Sequence, residues 1–437
     1  MKKILCRIHN DDKFVKENVD FTVDLFSKKQ YHYTFWDKKK RRLYQAGHFS
    51  DSAIDLLYIS LMVYYADRRV VRKEEDDAWT RNMRLYIPVL ELEKWNENKE
   101  LLGKMLSFLS GDIWSFEFRK RELNLKEERA KKGIERKREK HQPKAICMLS
   151  GGLDSFIGAI DILNKEKDIW FVGHYGGGKG VIQYQKNVIK KLINQYDLSA
   201  EQFFSFYASP VRPDKFTPME DSTRTRSFMF FAHAIILGSA IDRDTTLYIP
   251  ENGLISLNIP LTNTRLGSSS TRTTHPYYMR LLQQLLINLG LKIQLHNPYQ
   301  FKTKGEMIVE CKDPIFLKAN ISQTMSCSHP DLGRYSGDAN PSHCGNCLPC
   351  IIRRSAIEYA YQNDESNYRD KDFQLKGAKD NLRSFKLGVM DYVGSKIDAA
   401  LTIQISGPIV DNLDNYCNVY IRGIEELKSL LDKYNNG

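Results

Sequence analysis

The chain carries Ser150-Gly151-Gly152-Leu153-Asp154-Ser155 directly after an apolar run, Ala145–Leu149, and directly before apolar residues at helical spacing. A turn between a strand and a helix points backbone N–H groups at an anion, and the helix dipole favours negative charge there. The two glycines let the backbone approach phosphates closely, and the serine hydroxyls can donate to phosphate oxygens. Asp154 can hold Mg²⁺, which prefers oxygen ligands. The stretch therefore predicts a phosphate-binding loop at the start of an α/β domain.

Beyond this loop, segments of strand and helix character alternate along the chain. Strands are predicted at Ile169–His174, Phe203–Tyr207, Thr246–Ile249 and Ile293–Leu295, with helical patterns between them. Strands that alternate with helices form βαβ units, and the strands of such units lie parallel. The predicted fold class is therefore α/β, with a doubly wound parallel sheet in a domain that spans residues 145–360.

The region before this domain has a different pattern. Residues 1–118 mix helix-spaced apolar residues with a strand-like alternation at Trp114, Phe116 and Phe118, which predicts a separate α+β domain. Its aromatic residues are interpreted as core rather than as a base-stacking surface. Pro88 favours an edge strand or the beginning of a strand. We find no catalytic motif in this region.

Two further segments complete the predicted organisation. Residues 119–144 are dense in Lys, Arg and Glu, which predicts a charged helical linker, with a contact to nucleic acid or an acidic partner as the alternative. Residues 361–437 are polar and mostly helical in pattern, with an isolated strand candidate at Leu401–Ile405.

Composition excludes some classes of protein. The chain has 437 residues with 42% hydrophobic content, enough for a large core divided into about two or three domains. No run of about 18 apolar residues and no leader-like apolar segment occurs, so we expect a cytoplasmic protein with no membrane partner. The net charge of +11 permits nucleic acid as a partner without requiring it. Eight cysteines are too few for a disulfide scaffold in this length.

Four of the cysteines crowd into one segment, as Cys327 and then Cys344-Gly345-Asn346-Cys347-Leu348-Pro349-Cys350. Two overlapping C-x2-C spacings put three thiolates on one turn, and the earlier cysteine can complete a tetrahedron of soft ligands. The segment therefore predicts a structural Zn²⁺ site. His329 and His343 are alternative ligands.

These two motifs together resemble a known family. Residues 150–155 match the SGGxDS signature of the PP-loop ATP pyrophosphatases, which have an HUP-like fold. The run from Cys344 through Arg353 resembles the late CGxCxxCxxR cluster of the QueC family, the 7-cyano-7-deazaguanine synthases. The resemblance covers about residues 145–356. Weaker likenesses are Tyr175-Gly176 to the family's YGQ motif, Arg226 to its RN element, and Lys304-Gly305-Glu306-Met307-Ile308 to its KxEI element.

The resemblance implies an activity and its participants. ATP with Mg²⁺ would lie on residues 150–155 near Tyr175 and Gly176. The carboxylate of 7-carboxy-7-deazaguanine would attack the α phosphorus, and pyrophosphate would leave. Lys304 and Arg226 are the candidate cations for the developing charge, with surface ion pairing as the alternative for each.

Three other residues are candidates for binding the substrate. Glu251 follows a predicted strand, where ligands bind in open α/β sheets, and a carboxylate there can face the N1–H and exocyclic amine of the base. Arg272 and His275 are candidates for binding the substrate carboxylate or a phosphate.

Departures from the housekeeping family indicate a subgroup. The added amino-terminal region and the longer insert Ser328–His343 resemble the QatC-type proteins of antiviral operons. That resemblance implies an acceptor amine on a partner protein, with residues 1–118 as its docking surface. Two alternatives remain: a tRNA-modifying PP-loop enzyme that adenylates a base before sulfur insertion, and a catalytically silent nucleotide-binding adaptor of a defence complex.

Overall fold

Ten strands form two sheets in the part of the chain that the computed structural model describes. This part is residues 1–437 without 37–48, 126, 130–131, 133–141, 176–178, 242, 261–271, 334–336, 338–339, 376, 391–395 and 435–437. The strands are β1 (Lys2–Arg7), β2 (Phe21–Asp24), β3 (Tyr31–Tyr33), β4 (Asn82–Val89), β5 (Ile113–Lys120), β6 (Ala145–Met148), β7 (Ile169–Tyr175), β8 (Phe203–Pro210), β9 (Thr245–Tyr248) and β10 (Ile293–His296).

Helices cover the faces of both sheets and form the carboxyl-terminal region. They are α1 (Asp51–Arg69), α2 (Leu92–Ser110), α3 (Leu153–Leu163), α4 (Lys179–Tyr196), α5 (Arg226–Gly238), α6 (Gly253–Leu257), α7 (Pro276–Asn288), α8 (Lys304–Val309), α9 (Pro314–Asn320), α10 (Leu348–Tyr361), α11 (Ala378–Met390), α12 (Lys396–Ser406) and α13 (Leu413–Asp432). Short 3₁₀ turns lie at Arg72–Glu74, Ala200–Gln202 and Ile321–Gln323. Among the described residues, no helix combines the length and the apolar character needed to cross a bilayer.

The first sheet has the strand order β2-β1-β4-β5, and every neighbouring pair is parallel. The predicted α+β character of this region is therefore wrong, because its sheet is parallel and α2 connects the parallel neighbours β4 and β5. The alternation at Trp114, Phe116 and Phe118 is confirmed, and all three side chains are buried on one face of β5.

Pro88 contradicts the expectation of an edge strand, since β4 lies between β1 and β5. The paired residues of β1 and β4 end at Leu5 and Tyr86, whereas pairing with β5 continues to Val89. At Pro88, β4 therefore pairs with β5 but no longer with β1. The missing N–H costs less at such a position than between two paired strands.

The second sheet has the order β10-β9-β6-β7-β8-β3, with five parallel strands and an antiparallel edge strand, β3. Successive residues of β6 point to opposite faces, so Ala145 and Cys147 pack in one core and Ile146 in another. This arrangement confirms the predicted doubly wound sheet. The strand order reverses between β6 and β9, and ligands bind at the carboxyl ends of strands at such a point.

The amino-terminal region shares its core with the second sheet. One cluster of buried side chains runs from Ile4 in β1 to Ile293 in β10, and α1 packs against α5. Strand β3 belongs to residues 1–118 in sequence and to the second sheet in space. The division of the chain into domains at residues 118 and 144 stays a prediction, and the packing crosses it. In the predicted linker, residues 126, 130–131 and 133–141 lie outside the described residues, and residues 119–120 belong to β5.

The carboxyl-terminal residues are helical, as predicted, except at Leu401–Ile405. These residues lie in α12 rather than in a strand. Their apolar residues alternate as in a strand, but Ile397, Leu401 and Ile405 also fall at helical spacing on one exposed face, while Ile403 is buried. The helical period therefore describes the segment correctly.

Candidate active site and metal centre

The loop after β6 has a backbone that requires glycine. Gly151 has φ of +88°, and a Cβ there would lie 2.9 Å from the Cα of Gln185. Gly152 occupies the N-cap position of α3 without a side-chain cap, so the first-turn N–H groups of the helix border the loop. The side-chain amide of Gln185 donates to the carbonyl oxygen of Leu149 at 2.9 Å and fixes α4 against the end of β6. The local geometry is that of an anion-binding turn.

Both serines of this loop are hydrogen-bonded within it. The hydroxyl of Ser150 accepts from the Gly152 N–H at 3.2 Å, and the hydroxyl of Ser155 accepts from the Ser150 N–H at the same distance. The two hydroxyl oxygens lie 3.1 Å apart. The Ser155 hydroxyl also donates to the carbonyl oxygen of Gly152 at 3.0 Å. The two side chains therefore face one another across the loop, and each hydroxyl would have to rotate to donate to an oxyanion.

Asp154 is the centre of a buried polar cluster. Its Oδ1 lies 2.8 Å from the Nζ of Lys304, and its Oδ2 accepts from the side-chain amide of Asn252 at 2.7 Å. The side chain of Lys304 is buried too, with a relative exposure of 6%. Three elements that are distant in sequence, α3, α8 and the loop after β9, thus meet at the switch point of the sheet.

Glu251 completes this cluster, and its Oε1 accepts from the side-chain amide of Asn252 at 3.3 Å. Burial raises its pKa, and the negative charge of Asp154 raises it further. Burial also opposes the charge on Asp154, but Lys304, followed by hydrogen bonds from Glu251 and Asn252, lowers the pKa of Asp154 to about 2. The opposite shifts therefore favour negative charge on Asp154, opposite the ammonium of Lys304.

Sequence reasoning missed Asn252. As the N-cap of α6, its side-chain Oδ1 accepts from the Ile255 N–H at 3.0 Å. Its side-chain NH₂ group donates to Asp154. The available signal was an asparagine directly before Gly253 at the start of a helix, a preferred N-cap residue.

The other predicted site residues lie around this cluster rather than in it. Tyr175 ends β7, adjacent to β6, and its ring lies 5.5 Å from that of Tyr207. Gly176 lies outside the described residues. Arg226 begins α5, is exposed, and has its guanidinium 5.3 Å from the centre of the Phe230 ring. The roles of these residues stay predictions.

Arg272 and His275 have structural partners. The guanidinium of Arg272 donates to the carbonyl oxygen of Phe108 in α2 at 2.9 Å. His275 caps α7 by accepting from the Tyr277 N–H, and its Nε2 lies 3.2 Å from the Ser406 hydroxyl. Burial, and then the charge of Arg272, lowers the pKa of His275 to about 3. These contacts join three regions of the chain, and the substrate-binding role of the two residues stays a prediction.

The four predicted metal ligands converge. The Sγ atoms of Cys327, Cys344, Cys347 and Cys350 all lie within 4.8 Å of one another, and all four residues are buried. The Cys327–Cys347 and Cys344–Cys350 sulfur pairs are 3.9 and 3.8 Å apart. A tetrahedron with Zn–S bonds of about 2.3 Å has edges of about 3.8 Å, so the donor set fits Zn²⁺.

Backbone groups support this cluster. The N–H of Cys344 donates to the Sγ of Cys327, and the N–H of Cys347 donates to the Sγ of Cys344, each at 3.3 Å. Gly345 has φ of +90°, and a Cβ there would lie 2.3 Å from the carbonyl oxygen of Asp370. The alternative ligand His343 has its Nε2 3.1 Å from the carbonyl oxygen of Thr324. The geometry favours the four thiolates.

The cluster is connected to the glycine loop through a short path. Arg353, which is fully buried on α10, donates to the Thr324 hydroxyl at 2.7 Å and to the carbonyl oxygen of Ile321. The N–H of Met325, which follows Thr324, donates to the carbonyl oxygen of Gly151 at 2.9 Å. The cysteine cluster and the glycine loop are therefore joined through residues 324–325.

Comparison with known proteins identifies one part of the chain. The family described as queuosine biosynthesis protein QueC matches residues 273–361. This segment holds Lys304 and the four cysteines of the predicted metal site. This match supports a QueC-like region in the chain. A search of curated proteins finds no match.

Proposed function

We propose that the chain is an ATP-dependent ligase of the PP-loop kind, which adenylates the carboxylate of 7-carboxy-7-deazaguanine and passes the acyl group to an amine. The observation that carries the proposal is the contact between Asp154 of the glycine loop and Lys304 of the QueC-like segment. These residues are 150 positions apart in the sequence, and their contact puts both motifs at the switch point of one sheet.

The chain's own groups suit the first step. The first-turn N–H groups of α3 and the hydroxyls of Ser150 and Ser155 would bind the phosphates of ATP. A substrate carboxylate oxygen forms a bond to the α phosphorus, and the bond to the oxygen that bridges the α and β phosphates breaks, releasing pyrophosphate. Lys304 would stabilise the developing negative charge in this buried site, where fixed charges are most effective. Arg226 is a second candidate cation at the same edge of the sheet.

A magnesium ion fits the acidic side of the cluster. Both carboxylate oxygens of Asp154 have protein partners, yet each retains a lone pair for a metal ligand bond. When bound, Mg²⁺ would neutralise phosphate charge and bridge ATP to the loop. Glu251, beside Asp154, would accept from the N1–H and exocyclic amine of the substrate base.

The second step needs an amine but no nucleophile from the protein. The acyl adenylate would react with ammonia, or with an amine of a partner protein, to give an amide, and AMP would leave. The ammonia product could go on to a nitrile only through a second ATP, which adenylates the amide oxygen so that it leaves with AMP. We favour the protein amine, in an antiviral operon of the QatC type, because of the added amino-terminal region and the insert before Cys344.

The proposal is tested by ATP–pyrophosphate exchange with the purified chain. We expect exchange that depends on both Mg²⁺ and 7-carboxy-7-deazaguanine. Exchange that is absent with this acid would overturn the substrate assignment, and ATP binding without any exchange would favour the adaptor. Intact-mass analysis of co-expressed partner proteins would then identify the acceptor, through a covalently attached deazaguanine.

The sulfur-inserting alternative needs a reactive cysteine. The four cysteines outside the metal cluster, Cys6, Cys147, Cys311 and Cys417, are all buried. Burial raises the pKa of the Cys6, Cys147 and Cys311 thiols well above the usual range. These residues are therefore poor nucleophiles, and a colourless protein with one bound zinc would further disfavour an iron–sulfur enzyme.

A further inference from the structure

The carboxyl-terminal helix α13 places a carboxyl group against the turn that carries Lys304. Glu426 is buried, with 8% relative exposure, and its Oε1 accepts a hydrogen bond from the Thr303 hydroxyl. The same hydroxyl accepts from the Glu306 N–H at 3.1 Å as the N-cap of α8. Glu426 therefore sets the rotation of the hydroxyl that caps the helix.

Further contacts hold the same turn. The N–H of Gly305 donates to the Oε2 of Glu426 at 3.4 Å, and Arg422, one turn earlier on α13, forms an ion pair with Glu306. A Cβ at Gly305 would lie 2.5 Å from the Oε1 of Glu426, so this close approach requires glycine. Helix α13 thus contacts Thr303 before Lys304 and Gly305 and Glu306 after it.

Lys304 is the first residue of α8, and its ammonium reaches Asp154 in the glycine loop. We infer that Glu426 is a positioning residue, which acts through Thr303 and Gly305 to hold Lys304 in the geometry that phosphate chemistry needs. The inference rests on the proposed function and gives residues 413–432 a role in it. Helix α13 lies outside the QueC-like match at residues 273–361.

The proposed role of Glu426 needs an oxygen that accepts from Thr303 and does not depend on the charge of the side chain. Burial raises its pKa to about 7, the Thr303 and Gly305 donors oppose that rise, and the charges of Glu306 and Arg422 act in opposite directions. Both protonation states keep an oxygen that accepts from Thr303. Glutamine also supplies such an oxygen, whereas alanine does not, so the two substitutions separate hydrogen bonding from charge.

The test uses Glu426→Ala and Glu426→Gln, with Glu425→Ala and Glu425→Gln as matched controls, since Glu425 is exposed on the same helix. For Glu426→Ala we expect exchange kcat to fall about 10-fold or more, with the KM for ATP changed less than about 2-fold. Glu426→Gln should recover most of kcat. The double variant Lys304→Ala/Glu426→Ala should be no slower than Lys304→Ala alone, because both changes remove one interaction. Multiplied losses in the double variant would overturn the inference.

A second measurement does not depend on the proposed reaction. Modification of Lys304 by an amine-reactive ester, followed by peptide mass spectrometry in the folded full-length chain, reports the accessibility of its ammonium. We expect the rate to rise about 5-fold or more in Glu426→Ala and to stay unchanged in the Glu425 controls. An unchanged rate would overturn the inference. If the wild-type chain shows no exchange while this rate rises, the proposed function fails and the positioning of Lys304 by Glu426 stands.

Discussion

Both sheets of this molecule consist mainly of parallel strands, but the carboxyl ends of those strands carry different side-chain arrangements. At the edge of the second sheet, a glycine turn leaves helix N–H groups next to a polar cluster of Asp154, Lys304 and Glu251. At the edge of the first sheet, side chains of opposite charge close on one another. Arg119 pairs with Asp12, and Arg121 pairs with Glu127.

This difference shows where function lies in such folds. Both edges are places where ligands bind in parallel sheets. Only the second combines a left-handed glycine, an uncapped helix start and charges that face a shared point. In the first sheet the charges satisfy each other, and a deeper network joins Arg81 to Asp67 and Asp112 with no exposure at all. In the second sheet, Asp154 and Lys304 also pair, but they do so beside the glycine turn, where we propose that they serve chemistry.

The largest effect is expected from Cys347→Ser, which tests whether the metal centre supports the second edge. We expect loss of zinc together with a large drop in stability, because structural zinc contributes about 10–16 kcal/mol to folding in zinc-finger peptides. Zinc content and thermal unfolding are the measurements. The control is Cys311→Ser, a buried cysteine outside the cluster, which should keep its zinc. Full zinc and an unchanged Tm in Cys347→Ser would contradict the hypothesis that the cysteine cluster is a structural zinc site.

Arg81→Ala should produce the next largest effect and tests the first sheet. Removing this guanidinium breaks the ion pairs that Arg81 forms with the buried Asp67 and Asp112, although Asp112 keeps its pair with Arg72. Breaking such a network costs about 3–5 kcal/mol. Arg84→Ala, in the adjoining strand β4, is the control, since Arg84 is half-buried and contacts the Ser115 hydroxyl. Denaturant unfolding measures both.

Exchange activity per folded molecule should survive in the Arg81 variant. Asp67 also accepts from the N–H and hydroxyl of Thr225, the residue before Arg226. Strongly reduced activity in the folded variant would therefore mean that the first sheet positions Arg226, and the contrast between the two sheets would weaken.

Asp154→Asn should cost less stability than Arg81→Ala, because it breaks one buried ion pair rather than two, and it should have a specific effect on rate. We expect exchange kcat to fall about 10²–10³-fold, the typical loss when one electrostatic contact to the transition state is removed. Alanine is a poorer choice because Asp154 is buried rather than exposed on its loop, and truncation would leave a gap beside Lys304. The control Asp197→Asn lies on the surface with φ of +55°, which asparagine tolerates. Equal activity of the two variants would refute the role of Asp154.

The sequence predicted those features that are local in the chain. The strand, glycine turn and helix at residues 145–163 and the spacing of the cysteines each follow from a few neighbouring residues. Contacts between distant segments could not be predicted in this way. Nothing near Lys304 indicates that its partner is Asp154, and nothing near Glu426 indicates a contact with Thr303. The parallel first sheet was missed because its pairing depends on crossovers that the pattern of residues 1–118 does not show.

Strand β3 has a consequence for how the chain is made. The N–H of Tyr207 donates to the Thr34 hydroxyl across 173 residues of sequence, and β3 pairs only with β8. During synthesis β3 leaves the ribosome long before its partner exists, so the amino-terminal residues cannot complete their packing as a finished unit. A nascent chain that stalls before β8 would expose an unpaired strand and part of the shared core, which favours aggregation. We therefore expect this protein to rely on chaperones during translation more than a chain whose amino-terminal strands pair with one another.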